Sequence, residues 1–176
     1  MSTRNSKQCG TNLIELMVAI SIAAISLTVG VPSFKSVRVS SDRSSAIIEL
    51  VAAARLARSE AALRGTPFTL CASMNGTSCS GSSDWSNGWI VFSDSDGNGA
   101  VADRSDVIKV VEHNNTQFTL AADTNIGGRI TFSTFGYANP PSGQLTYTDS
   151  QATRTVQLTF VGRLHVNQTT PDTASS

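Results

Sequence analysis

The chain has 176 residues, 40% of them hydrophobic, which is enough for one modest core and indicates a single globular domain with an extension. Lysine plus arginine and aspartate plus glutamate each number 13, so there is no basic excess to hold a phosphate backbone or an anionic lipid surface by bulk charge. Any contact with nucleic acid would therefore have to be local.

Residues 1–10 form a short segment with two basic residues and no acidic one, and an apolar stretch follows it. Because an ordinary secretory signal is cut after its apolar stretch, a cut after Gly10 would instead leave the apolar stretch on the mature chain. Three cysteines would leave one thiol unpaired in an exported protein. The same cut would remove Cys9 and leave only Cys71 and Cys79.

Residues 11–32 are predicted to form a helix that crosses the inner membrane once. From Leu16 to Val31 sixteen residues carry no charge, close to the roughly 20 that span a bilayer. The basic segment in front should stay in the cytoplasm, which places the rest of the chain in the periplasm. Glu15 is a single acid in this stretch, and the expected partner of its carboxylate is the amino group of Thr11, from the same or a neighbouring chain.

These residues resemble the processing signal of type IV prepilins and type II secretion pseudopilins. The resemblance rests on the basic leader, Gly10 before the cut, Glu15 after it, and Pro32 where such helices commonly bend. It implies that a prepilin peptidase cuts between Gly10 and Thr11 and methylates the new amino terminus. It also implies that Glu15 and Pro32 serve filament assembly. Thr11 and Asn12 depart from the usual phenylalanine followed by threonine or serine, and a plain signal anchor is the alternative.

Residues 33–65 are predicted to continue the helix as an amphipathic segment. Apolar residues recur at spacings of three and four, as on one face of a helix, and arginines occupy other positions. Gly65, with Pro67 after it, should end the helix. The helix would thus run from Thr11 to Arg64; a domain on a helical stalk is the alternative to a filament subunit. The apolar positions are Phe34, Val37, Ile47, Leu50, Val51, Ala54, Ala57 and Ala61.

Residues 66–176 are predicted to form a periplasmic domain of mainly antiparallel β-structure, because short runs of β-forming residues alternate with turn residues. In the clearest strand, Val156, Leu158 and Phe160 alternate with polar residues and should face the core. The predicted fold class is α+β, with a long N-terminal helix packed on the sheet. The expected strands are Phe68–Ser73, Trp89–Phe92, Val107–Val111, Phe118–Leu120, Arg129–Phe132, Leu145–Thr148 and Thr155–Val161.

Cys71 and Cys79 flank seven residues, a loop that a disulfide can close in the oxidising periplasm. The loop-entropy estimate for so small a ring is about 2.5 kcal/mol. A metal site is one alternative, although no pair of histidines is nearby. A redox pair is another, although the spacing is not C-x-x-C. A disulfide is the favoured prediction.

The domain resembles the FimT, FimU and GspH branch of the pilin superfamily. The resemblance rests on the cysteine loop followed by Trp85, the run Gly88–Phe92, the Asp- and Gly-rich turn after it, and Ile130–Phe132 followed by Gly136. It implies a pilin-like fold and a minor type IV pilin that initiates or joins the filament. The implied partners are other minor pilins, the major pilin, the prepilin peptidase and inner-membrane lipid, with the finished pilus at the cell surface. A minor pseudopilin of type II secretion is the alternative.

Asp94, Asp96 and Asn98 occupy alternate positions before a glycine, as at the start of a calcium loop. The twelfth position of such a loop is Ser105 instead of glutamate, and a Gly/Asn hairpin turn accounts for the same residues. No metal site or cofactor is therefore expected, and calcium remains an alternative.

Gly162, Arg163 and His165 suggest a different function. FimT-like pilins of naturally competent bacteria are associated with DNA binding through a C-terminal Gly-Arg-x-Arg motif, and here His165 replaces the second arginine. A histidine is largely neutral near pH 7, and one arginine supplies one phosphate contact where useful affinity needs several. DNA binding is thus an alternative, and the simpler expectation places Arg163 in a turn or at a strand edge.

Catalysis finds no support in the sequence. The two histidines, His113 and His165, are expected at the surface or in turns, and no nucleophile-elbow sequence is present. The chain is not expected to be an enzyme.

Overall fold

The computed structural model describes residues 12–113 and 117–167, apart from the side chains of residues 26–36. The predicted leader and the cleavage site between Gly10 and Thr11 lie outside the described residues. The chain divides into two compact units, residues 1–40 and 41–176. Its elements are α1 (Leu13–Arg64), β1 (Phe68–Ala72), β2 (Gly88–Ser93), a 3-10 turn (Arg104–Asp106), β3 (Val107–Glu112), β4 (Phe118–Ala122), β5 (Arg129–Phe132), β6 (Ala138–Asn139), β7 (Gly143–Asp149), β8 (Thr153–Leu158) and β9 (Leu164–Asn167).

The first unit contains the beginning of α1, whose large apolar side chains face outward. Leu13 is 78% exposed and Ile25 is 68% exposed. Glu15 lies in the first turn, where its backbone N–H donates to the carbonyl of Asn12 over 2.9 Å. The helix includes Pro32. Among residues 12–113 and 117–167, no helix combines the length and hydropathy that a membrane crossing requires.

In the second unit α1 packs an alanine-rich stripe into the core. Alanines are small, so the helix can lie close to the strands, whereas Leu50 fills the remaining space with a fully buried side chain. Burial of apolar side chains begins at Ala46, just after the buried Arg43, although the predicted apolar face included Val37, which is 69% exposed. Gly65 ends the helix as predicted, with φ of +65° and its N–H donating to the Ala61 carbonyl. The stripe consists of Ala46, Ile47, Leu50, Ala53, Ala54, Ala57 and Ala61.

The strands form two antiparallel sheets, one in the order β3-β2-β1-β5-β6 and the other in the order β4-β7-β8-β9. Each of the seven predicted strands is present, and the α+β prediction is confirmed. β6 and β9 were not predicted. β6 has two residues, and β9 is mostly exposed, so neither has a buried alternating pattern that a sequence could reveal.

The prediction for Phe160 is wrong. Strand β8 ends at Leu158, and a tight turn follows, in which the Gly162 N–H donates to the Thr159 carbonyl over 2.8 Å. Val156 and Leu158 are buried as expected, but Phe160 is 56% exposed and stacks on Tyr137 with ring centroids 4.7 Å apart. The alternation of apolar and polar residues therefore predicts burial only as far as Leu158, where the strand ends.

Candidate functional site

Cys71 and Cys79 form the predicted disulfide, with their Cα atoms 5.6 Å apart. Cys71 is fully buried in β1. The loop between them is ordered by short polar contacts, including a hydrogen bond from the Ser73 hydroxyl to the Ser78 carbonyl. Cys79 lies on the wall of a cleft of about 580 Å³ that is also lined by Arg129. The disulfide is therefore part of the scaffold beside this cleft.

The three residues of the calcium alternative do not converge. The carboxylate of Asp94 is buried and accepts hydrogen bonds from the Gly99 N–H and the Thr69 hydroxyl. Asp96 is exposed and accepts from the side-chain amide of Asn98 over 2.6 Å. Asp94 thus closes the turn with its own side chain. In the described residues, no group of three or more His, Cys, Asp and Glu could hold a metal ion.

A buried ion pair joins α1 to the end of β7. Arg43 Nε lies 2.6 Å from Asp149 Oδ2, and Arg43 Nη2 lies 2.9 Å from Oδ1, a two-point contact. Burial raises the pKa of Asp149, but hydrogen bonds from Arg43 and from the backbone of Gln151 and Ala152 outweigh it, so the pKa lies below its usual value. This ion pair could not be predicted from the sequence, because Arg43 and Asp149 are 106 positions apart.

Three arginines and an exposed phenylalanine share one face of the second unit, which we call the arginine face. Arg55 and Arg58 lie between two grooves of about 310 and 380 Å³. Phe135 lines one groove, and Arg163 and His165 line the other. Arg163 lies directly before β9 and is exposed, in agreement with the simpler expectation of a turn or a strand edge. The spacing of Arg55 and Arg58 places them on one helix surface, but the sequence could not reveal that Arg163 joins them.

Two glycines position the side chain of Arg58 in this face. The Nε of Arg58 donates to the Gly136 carbonyl over 3.0 Å. A Cβ at Gly136 would lie 3.0 Å from that Nε, and a Cβ at Gly162 would lie 3.2 Å from Arg58 Cδ. Both glycines have positive φ, +77° and +71°. The close approach of the turns to α1 therefore depends on residues without side chains.

Three acids surround a shallow pocket of about 230 Å³, which we call the acidic pocket: Asp42, Glu49 and Glu112. His113 contributes to its wall, with Nε2 3.6 Å from Glu49 Oε2. Burial lowers the pKa of His113, and the charge of Glu49 offsets this only in part. The ring packs between Trp89 and Phe118, with centroids 4.9 and 5.5 Å away. His113 was expected at the surface or in a turn; it follows β3 outside the strands, and its side chain is only 15% exposed.

Comparison with known proteins identifies relatives for the second unit. Residues 46–162 match a family model described as type II transport protein GspH. No curated protein sequence matches the chain. Two crystal forms of the type IV minor pilin FimU of Pseudomonas aeruginosa are similar in structure. One is 20% identical with a TM-score of 0.54, covering 70% of this chain and 91% of that one. The other is 19% identical with a TM-score of 0.57, covering 70% and 87%. At this identity the likeness establishes a shared fold.

Proposed function

Because the chain belongs to the GspH family, we propose that it is a minor type IV pilin, a structural subunit that initiates an extracytoplasmic filament or joins it. The structural relative, matched in two crystal forms, is a minor pilin by name, which supports this reading of the family. The role is one of assembly rather than catalysis. Its partners would be other minor pilins and the major pilin.

The observation that carries the proposal is the exposed apolar beginning of α1. Large apolar side chains from Leu13 to Ile25 are 52–78% exposed in the single chain. Such a surface is unfavourable in water and marks a site of contact with lipid or protein. Identical or related helices packed side by side would cover it in a filament core. Before assembly, residues 11–32 would hold the subunit in the inner membrane with its domain in the periplasm.

Glu15 would orient the subunit during assembly. It is an acid in the first turn of an apolar helix, and an unpaired carboxylate in an apolar environment is costly. Cleavage between Gly10 and Thr11 by a prepilin peptidase, followed by methylation, would supply an amine from the same or a neighbouring subunit. Pro32, at the end of the apolar segment, would also serve filament assembly.

The test is recovery of the chain from sheared filaments of cells that express it, together with mass spectrometry of its amino terminus. We expect methylated Thr11 as the first residue. Glu15→Ala should reduce the amount in filaments at least tenfold, because it leaves the Thr11 amine without an acidic partner in an apolar environment, at a cost above about 1.4 kcal/mol. The matched control is Ser21→Ala, an exposed polar position on the same helix. Another amino terminus, or equal recovery of the two variants, would contradict the proposal.

The same experiment distinguishes the runner-up, a minor pseudopilin of type II secretion. The chain would then be recovered with pseudopilins, and its deletion would impair secretion while leaving pili intact. The subunit chemistry proposed for Glu15 is the same in both systems, so only the partners differ.

DNA binding is a second candidate, and the arginine face favours it. The sequence offered Arg163 together with His165, but Arg55 and Arg58 line the same groove, which raises the number of cations available to phosphates. In binding assays with double-stranded DNA and the full chain in detergent, Arg163→Ala should weaken binding and reduce its salt dependence by about one ion. Arg104→Ala, an exposed arginine elsewhere, is the control. Binding unaffected by Arg163→Ala, or absent at low salt, would remove this candidate.

A further inference from the structure

The arginine face and the acidic pocket lie on opposite flanks of α1. Glu49 and Arg58 are nine residues apart, which is two and a half turns at about 3.6 residues per turn, so they project from opposite sides of the helix. The buried stripe that contains Ala53 and Ala57 lies between the two flanks. One subunit therefore presents cations on one side and anions on the other.

The cations of the arginine face have no acidic partner within the described part of the chain: no ion pair involves Arg55, Arg58 or Arg163. Arg58 is held by a backbone carbonyl, so its charge is not neutralised. Phe135 is 83% exposed beside them. Arginine and aromatic side chains together are typical of the centres of protein interfaces, where charged residues of other types are depleted.

The anions of the acidic pocket are likewise not neutralised. The side chain of Glu49 is 50% exposed, and its neighbour His113 is kept mainly neutral near pH 7 by the burial that lowers its pKa. Glu112 is exposed at the end of β3, and Asp42, on α1 like Glu49, also lines the pocket. The pocket is thus a concave anionic surface of a size that an arginine side chain can enter.

We propose that the arginine face of one copy of this chain docks into the acidic pocket of a second copy, side by side along α1. This inference rests on the proposed function as a filament subunit and assigns the surfaces that meet. Because the two surfaces differ and lie on opposite flanks, the contact is heterologous and leaves one free surface of each kind at the ends of the assembly. That is the geometry of an open filament. A second copy is favoured over a polyanion because the complementary charges are present on the same chain, whose net charge is +0.

Cross-linking in cells tests the contact directly. Two differently tagged full-length copies, one with Arg55→Cys and one with Glu49→Cys, are expressed together and treated with a short bismaleimide. Cys71 and Cys79 are bonded to each other and should not react. We expect a product with both tags, at least fivefold above the control pair in which Arg104→Cys replaces Arg55→Cys.

Filaments sheared from the same cells show whether the docking inference or the proposed function has failed. If sheared filaments contain the chain but the test pair cross-links no more than the control pair, the docking inference is wrong and the filament role stands. If the chain is absent from filaments, the proposed function itself fails.

Charge reversal with rescue provides the second test. Sedimentation of the full chain in detergent at low salt should show self-association that weakens about tenfold or more with Arg55→Glu or with Glu49→Arg, because like charges then face each other. Mixing the two variants should restore association, since the intact surface of each matches an intact surface of the other. No restoration would overturn the inference. Absence of self-association in the unaltered chain, combined with DNA binding by that chain, would assign the arginine face to a polyanion instead.

Discussion

At the scale of single residues, Gly162 determines how closely the turn after β8 approaches its neighbours. A Cβ at this position would lie 2.6 Å from the Gly136 carbonyl oxygen and 3.2 Å from Phe132 Cδ1. Its φ of +71° is also one that side chains rarely adopt. The shape of the arginine face thus depends on an uncharged residue.

Gly162→Ala should therefore destabilise the fold more than an alanine at another glycine with positive φ. The matched control is Gly65→Ala, which has φ of +65° and nothing within 4 Å of the added Cβ. The control should cost about 1–2 kcal/mol for left-handed backbone, whereas Gly162→Ala should cost about 1–3 kcal/mol more through steric overlap. Urea denaturation of the two variants measures the difference. Equal midpoints would show that the turn can move away without cost.

At the scale of elements, the alanine stripe of α1 determines the distance between the helix and the strands. Ala57 and Ala61 are fully buried, and the neighbouring core residues Leu70 and Trp89 are fully buried as well. Interiors are close-packed, so added methylene groups force neighbours out of their preferred positions.

Ala57→Leu should destabilise the second unit by about 1–3 kcal/mol because the side chain has no space. Ala62→Leu is its counterpart on the exposed surface of the same helix and should change stability by less than about 0.5 kcal/mol. Thermal denaturation compares them. A similar loss at both positions would mean that helix propensity or solubility, rather than packing, decides the outcome.

Most elements that the sequence allowed us to predict have a regular buried pattern, and β3, which was predicted from its β-forming residues, is an exception. The end of α1 at Gly65 and strand β2 followed from local chemistry and from a run of buried apolar residues. β9 could not be predicted, since its residues pair with β8 but are mostly exposed. The grouping of Arg55 with Arg163 required the path of the chain in three dimensions. Contacts between charged residues that are far apart in the chain produce no periodic pattern in the sequence.

At the scale of the whole molecule, two buried contacts make the stability sensitive to acid in separate ranges of pH. His113 has a pKa below its ordinary value, so the unfolded chain takes up a proton first as the pH falls. Its contribution to stability is complete above its unfolded pKa of about 6.5 and is lost below it. The pKa of Asp149 is also lowered, and its contribution is lost below an unfolded value of about 3.9.

Denaturation at a series of pH values should therefore show two steps of decreasing stability on acidification. His113→Phe, which keeps an aromatic ring between Trp89 and Phe118, should remove the loss that begins as the pH falls below about 6.5 and leave the loss below about pH 4. Persistence of the upper step in this variant would assign it to another group.

Opposite charges on the two flanks of α1 also separate positive from negative charge across the second unit. Attraction between such opposite charges on different molecules is strongest in dilute buffer and is screened over about 10 Å at 0.1 M salt. The domain should consequently dissolve better as salt is added, the reverse of the behaviour of a protein kept apart by repulsion. Purification in low-salt buffer would then favour the ordered contacts of a filament over dispersed subunits.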